Sequence, residues 1–113
     1  KFGEFILNGG EVGTNHVISD IDFFDDTFLK SQNMNEAYGY LWWLNNSQTH
    51  MTWENKLSSG NLFSHAPKEA ILALGLGSRV LAIVPSEELV LVRLGSFPDD
   101  INFNNNLWKY LQK

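Results

Sequence analysis

Three histidines, nine serines and the glycines Gly75 and Gly77 are the residues here whose chemistry could go beyond packing. None of the serines has Lys three residues later, and no Gly-x-Ser-x-Gly or phosphate-loop pattern occurs, so the nucleophile motifs of the common hydrolases are missing. His16, His50 and His65 lie in polar segments without shared spacing, and each reads as a surface or hydrogen-bonded residue, so no metal site is expected. His65 and Glu69 stand four apart, but Pro67 between them argues against a helical pair. The informative feature is Gly75-Leu76-Gly77, at the end of an apolar run. One reading is a tight hairpin turn. The other is a main-chain N–H at Leu76, free on a strand edge and facing a bound carbonyl oxygen, as an oxyanion hole requires.

The elements that must position this stretch follow from the apolar pattern. Ala70–Leu74, Val80–Val84 and Leu89–Leu94 are strand-length runs rich in Val, Ile and Leu, separated by Gly75–Ser78 and Pro85–Glu88. They predict a three-stranded antiparallel meander over residues 70–94. Before it, Phe2, Phe5 and Ile6 recur at helical spacing up to the Asn8-Gly9-Gly10 stop, giving a helix barely two turns long that reads as the tail of a longer one. Ser19 or Asp20 is placed as an N-cap for a second short helix, about Asp20 to Lys30. Tyr38 to Leu44 reads as an aromatic strand, with His50–Trp53 as a weak partner, and 55–66 reads mostly as loop. Pro98-Asp99-Asp100 opens a C-terminal helix over 96–113, with Phe103, Leu107, Tyr110 and Leu111 as its apolar face. The fold class is therefore α+β, an antiparallel sheet packed against short helices and a C-terminal helix.

Composition bounds the rest. At 113 residues the chain has room for a single domain, 1–113. Eight Lys and Arg against 13 Asp and Glu leave a formal charge of −5, with no basic run, which argues against nucleic acid as a partner. No apolar run approaches the roughly 20 residues that span a bilayer, so no membrane partner is expected. The absence of cysteine excludes disulfides and thiol catalysis and leaves the compartment open.

The order LNGG, short helix, YGYLWWLNN, ALGLGSRVLAIVPSEELVLVRLG and terminal helix resembles the C-terminal third of the serine β-lactamase-like hydrolases. That superfamily includes class C β-lactamases, penicillin-binding proteins, related esterases and, most similar of these, the 6-aminohexanoate-dimer hydrolases. The resemblance covers about residues 1 to 95 and is most specific over Tyr38–Trp43 and Ala73–Val92. It implies a partial β-lactamase-like fold in a C-terminal fragment of a larger enzyme, with no cofactor. Ala73-Leu74-Gly75 then occupies the active-site strand motif, with Leu76 N–H as the oxyanion donor. Ala73, Gly75, Gly77, Ser78, Trp42 and Trp43 would line the substrate site. Ala73 cannot supply the polar or positive group that a β-lactamase turns towards a substrate carboxylate, so a small-molecule ester or amide is the implied substrate. Ser78-Arg79 also departs from the Gly-Gln of the aminohexanoate branch. The family's Ser-x-x-Lys nucleophile motif lies upstream of the matched region, so the chain alone is expected to be inactive. Members are often exported or periplasmic, though no residue here indicates export.

A second reading is a non-catalytic binding module that uses an aromatic surface around Tyr40, Trp42 and Trp43. The resemblance also implies that the Leu89–Leu94 strand lacks a neighbour which the family supplies from an N-terminal strand. Self-association through that edge is the expected consequence.

Overall fold

The computed structural model describes residues 1–111 and is built around the expected meander. In chain order the elements are helix α1 (Phe2–Leu7), strands β1 (Glu11–Val12) and β2 (Asn15–His16), and helix α2 (Ile21–Asp26). Strands β3 (Trp43–Leu44), β4 (Thr49–Met51), β5 (Leu57–Ser59), β6 (Ile71–Gly75), β7 (Arg79–Val84) and β8 (Leu89–Arg93) follow, and helix α3 (Phe103–Leu111) closes the described chain. The main sheet is antiparallel, in the order β3-β6-β7-β8, and β1-β2 and β4-β5 form separate two-stranded hairpins. The architecture is α+β, as its patterning predicts.

Strand side chains alternate between faces, and here both faces are covered. Leu72, Val80, Ala82 and Val84 point to one side and pack with Ala66, Ala70 and the buried Trp108 of α3. Ile83 points to the other, where it meets Ile6 of α1, Phe24 of α2, Trp42 and Leu44, with Ile71, Ala73 and Leu81 alongside. The continuous apolar runs of β6 and β7 are explained by this arrangement, because a strand buried on both faces has no polar position to spare. A sheet with one wet face would have alternated.

Several elements depart from the sequence reading. Tyr38–Leu44 is not one strand: the chain reverses between Gly39 and Trp42, with Gly39 N–H donating to Trp42 O at 2.8 Å, Leu41 at φ 70° and a lone Tyr38–Trp43 bridge. A Cβ at Gly39 would stand 2.7 Å from the Leu29 carbonyl oxygen, so the glycine inside the aromatic run marks close backbone approach. The segment at His50 does not return along the aromatic run. β4 pairs instead with β5, inside the stretch read as loop. Helix α2 is shorter than expected, and Asp20 is its cap, accepting from Phe23 N–H at 2.9 Å.

Helix α3 begins later than Pro98. Asp100 accepts from Asn102 N–H at 2.9 Å and from the Asn106 side chain at 2.8 Å, so it closes a turn ahead of the helix. The buried face of α3 also differs from the expected one: Trp108 is its anchor and Tyr110 is 69% exposed. Gln112 and Lys113, included in the expected helix, lie outside the described residues.

The long crossing from β5 to β6 is held from the β3 side by one side chain. Asn45 is fully buried, and its Nδ2 donates to the carbonyls of Phe63, Ala66 and Pro67 at 3.0–3.1 Å while its Oδ1 accepts from Phe63 N–H at 2.7 Å. Replacing Asn45 by Ala strands these groups without water, and the expected cost is about 2–4 kcal/mol, the sum of one or two unpaired buried groups. Asn45→Asp should cost at least as much, because a carboxylate would face three carbonyl oxygens. Chemical denaturation of both variants checks this, and a loss below ~0.5 kcal/mol in either would contradict the role.

Candidate functional site

The β6–β7 hairpin closes on the pair Gly75 and Arg79, leaving Leu76, Gly77 and Ser78 as a three-residue loop. Gly77 at φ 79° and Ser78 at φ 58° both occupy left-handed backbone. Glycine adopts it without strain, whereas Ser78 is held there against its preference. Leu76 projects into solvent at the apex, 78% exposed.

What holds the loop is Arg93, at the end of β8. Its Nη1 donates to the carbonyls of Gly77 at 2.8 Å and Ser78 at 2.9 Å, and its Nη2 donates to Ser96 O at 2.9 Å. The guanidinium carbon also lies 4.5 Å from the centre of the Phe103 ring. The planar guanidinium spreads its donors over two nitrogens to reach three carbonyls while its face lies on the Phe103 ring, a combination that a lysine ammonium does not offer. The loop, the exit from β8 and the start of α3 thus share one fastener.

Beside this loop the sheet has an open half-edge. β3 covers only Ile71 and Leu72 of β6, through the pairs Leu44–Ile71 and Trp43–Leu72. Asn45 N–H donates to Ala70 O at 3.1 Å, so Ala70 turns its main-chain carbonyl towards the β3 side. In an antiparallel ladder this direction alternates, and Leu72 and Leu74 therefore face that same side. Among the described residues no strand stands opposite Leu74. An extended ligand could add its own polar groups there, next to Gly75 and the loop.

The other expected site residues are placed as follows. Ala73 pairs with Leu81, and its methyl joins the cluster under α1 and α2. Trp42 is buried against the rings of Phe2 at 6.2 Å and Phe28 at 5.7 Å. Trp43 packs on the opposite side of the sheet, its ring 4.9 Å from that of Tyr38. The two tryptophans therefore do not make one wall, because neighbours along an extended chain point to opposite faces. Tyr40 is exposed.

The histidines do not converge. His16 Nδ1 lies 2.8 Å from Glu11 Oε1 in the β1–β2 hairpin, His50 Nδ1 is 2.9 Å from Gly60 O, and His65 N–H reaches Asn105 Oδ1 at 3.2 Å. Among the described residues no group of three His, Cys, Asp or Glu could hold a metal ion, and no helix is long and apolar enough to cross a membrane. Two concavities lie away from the loop. One, about 1200 Å³, runs between α1 and β8, and the other, about 640 Å³, is lined by Phe28, Leu44 and residues 46–48.

Arg93 is the residue that sequence reasoning passed over. Its signal was present: a lone cation at the end of an apolar strand must place its charge somewhere. No protein-family model matches the chain, and no curated protein matches it.

Replacing Arg93 by Met should remove three charge-assisted hydrogen bonds while keeping the aliphatic stem, at an expected cost of about 1–3 kcal/mol. Amide exchange at Gly77 and Ser78 should accelerate well beyond that at β7. Unchanged exchange there would show that the loop stands without the guanidinium.

A separate titration bears on the entry to β6. Glu69 accepts a hydrogen bond from the Ser86 hydroxyl, which lowers its pKa below the ordinary 4.5, helped by its own main-chain N–H and opposed by slight desolvation. Because folding lowers this pKa, the bond's contribution is complete above the ordinary glutamate value and is lost as pH falls through the depressed one. Ser86→Ala should bring the Glu69 midpoint back up towards its ordinary value in a carboxyl-resolved NMR titration. An unmoved midpoint would assign the depression to another group.

Proposed function

We propose that this chain is the C-terminal portion of a β-lactamase-like serine hydrolase that cleaves small-molecule esters or amides. In the reaction a serine Oγ attacks the substrate carbonyl, the alcohol or amine departs with a proton, and water then releases the acid from the acyl-serine. The contribution of this chain is the carbonyl-binding edge. The observation that carries the reading is the open half-edge of β6, where Leu74 has no partner strand beside a loop fastened by Arg93. Two residues beyond Leu74, Leu76 N–H is the oxyanion donor, and Gly75 leaves room for the substrate to approach.

Substrate preference follows from what lines the edge. The Ala73 methyl is packed under α1 and α2 and does not reach the edge, and the Arg93 guanidinium is engaged with three carbonyls, so neither can hold a substrate carboxylate. Uncharged esters and amides therefore fit better than β-lactams. The nucleophile and its base come from outside these residues, and the chain alone is inactive. Self-association belongs to the same reading, since β8 is an outer strand of the sheet. The aromatic-module alternative has less support, because Trp42 is buried and Tyr40 is left as the exposed member of the trio.

The test is made on the full-length encoded protein, which must contain an upstream Ser-x-x-Lys. Incubation with a p-nitrophenyl ester should yield an acyl adduct on that serine by mass spectrometry. Leu76→Pro, which lacks the N–H, should lower kcat about 10²- to 10³-fold, while Leu76→Ala stays near the unmodified rate. No upstream motif, or no acyl-serine, would refute the hydrolase reading. A proline variant at full rate would refute the donor assignment alone.

A further inference from the structure

The outer edge of β8 is self-complementary, and we propose that it pairs antiparallel with β8 of a second copy about a two-fold axis at Leu91. The main-chain directions can be traced across the sheet. Ala70 and Leu72 face β3, so Ile71, Ala73 and Gly75 exchange hydrogen bonds with Ile83, Leu81 and Arg79 of β7. Val80, Ala82 and Val84 then face β8 and bond to Arg93, Leu91 and Leu89. This leaves Val90 and Val92 with their N–H and C=O groups directed outward.

A two-fold at Leu91 sets Val90 opposite Val92 of the copy, and Val92 opposite its Val90. Each pair exchanges two hydrogen bonds, so all four outward groups on each strand are satisfied in one register. Leu91 meets its own counterpart as the non-bonded pair at the centre. The result is an eight-stranded sheet, twice the four strands of one copy.

Three observations favour a second copy over another occupant. First, β8 carries none of the devices that guard edges: it reads Leu-Val-Leu-Val-Arg, with no proline, no lysine and unbroken register against β7. Second, the register closes on itself: β8 is five residues long with Leu91 at its midpoint, so a two-fold there pairs the whole strand with its copy and leaves no outward group over. Third, there is room. The groove between α1 and β8 is lined by Phe5, Leu7, Leu89 and Val90, and Val92 is 57% exposed. Val90 lies under α1 beside Gly3, so Val92 of the copy, on the same face opposite it, enters that groove.

The experiment uses the 113-residue chain, whose sheet carries a core on each face, and because the hydrolase reading is tested on the full-length protein, failure of the pairing is distinguishable from failure of that reading. Sedimentation at high micromolar concentration should give twice 12.9 kDa. Val92→Pro deletes an outward N–H that the fold itself does not use, so it should be monomeric with unchanged tryptophan fluorescence. The chain has no cysteine, which makes single-cysteine variants clean probes of register. Leu91→Cys should form an intermolecular disulfide under mild oxidation, since non-bonded antiparallel pairs stand about 4.5 Å apart at Cα. Val90→Cys should not, its two copies lying diagonally at about 7–8 Å. A monomer under these conditions overturns the proposal, as it would if another segment covered the edge. So does a dimer in which Leu91→Cys fails to cross-link, or in which Val90→Cys cross-links as readily. The cross-linking pair decides the matter even if the proline variant unfolds.

Discussion

The fold depends on a primary amide. Between β5 and β6 the chain crosses residues 60–70, which contain no regular structure, yet Ala66 and Ala70 from this crossing are core residues. A crossing buried in this way leaves main-chain carbonyls without water, and each needs a donor. The Asn45 side chain supplies donors to three of them and an acceptor to one N–H. From the other side Asn105 of α3 receives His65 N–H and bonds with the Ser64 hydroxyl. Residues 62–67 are thus fixed between β3 and α3. Trp108 lies in the cluster that this arrangement closes.

The same constraint shapes the edges of the sheet. Because β3 is only two residues long, the sheet ends beside β6 in a partial edge, and beside β8 in a complete one. The two edges differ in chemistry. That of β6 runs into a loop whose carbonyls are held by Arg93, so its polar groups are fixed in place next to a glycine. The β8 edge is regular and apolar along its length. A fixed, short edge suits one carbonyl of a small molecule, while a regular one suits another strand.

The meander was legible because its three runs are bounded by turn residues and carry β-branched side chains, a pattern with few alternatives. An N-cap at Ser19 or Asp20 was legible for the same local reason, and the structure selects Asp20. The aromatic segment was not, since Tyr38–Leu44 has strand composition throughout and only Gly39 records the backbone contact that bends it. Asn45 and Arg93 were missed for a different reason. Each acts across long separations, Asn45 on residues 18 to 22 positions away and Arg93 on carbonyls 15 and 16 positions away. Local patterning carries no information at that range, and Asn45 within Asn45-Asn46-Ser47 reads naturally as a turn.

A similar argument explains why the asparagines of α3 coexist with a helix they disfavour. Asn is a poor helix former because its amide competes for nearby main-chain groups. Here Asn106 turns its amide to Asp100, ahead of the helix, and Asn105 turns its own to Ser64. The competing bonds are made to partners outside the helix, so they dock it instead of unwinding it. Intrinsic propensity thus yields to tertiary hydrogen bonding. The start of α3 is tied both to the crossing held by Asn45 and, through Phe103, to the arginine that fixes the loop at Leu76. Helix α3 thus meets the crossing at Ser64 and His65 and the arginine at Phe103, and its docking draws on both sets of bonds.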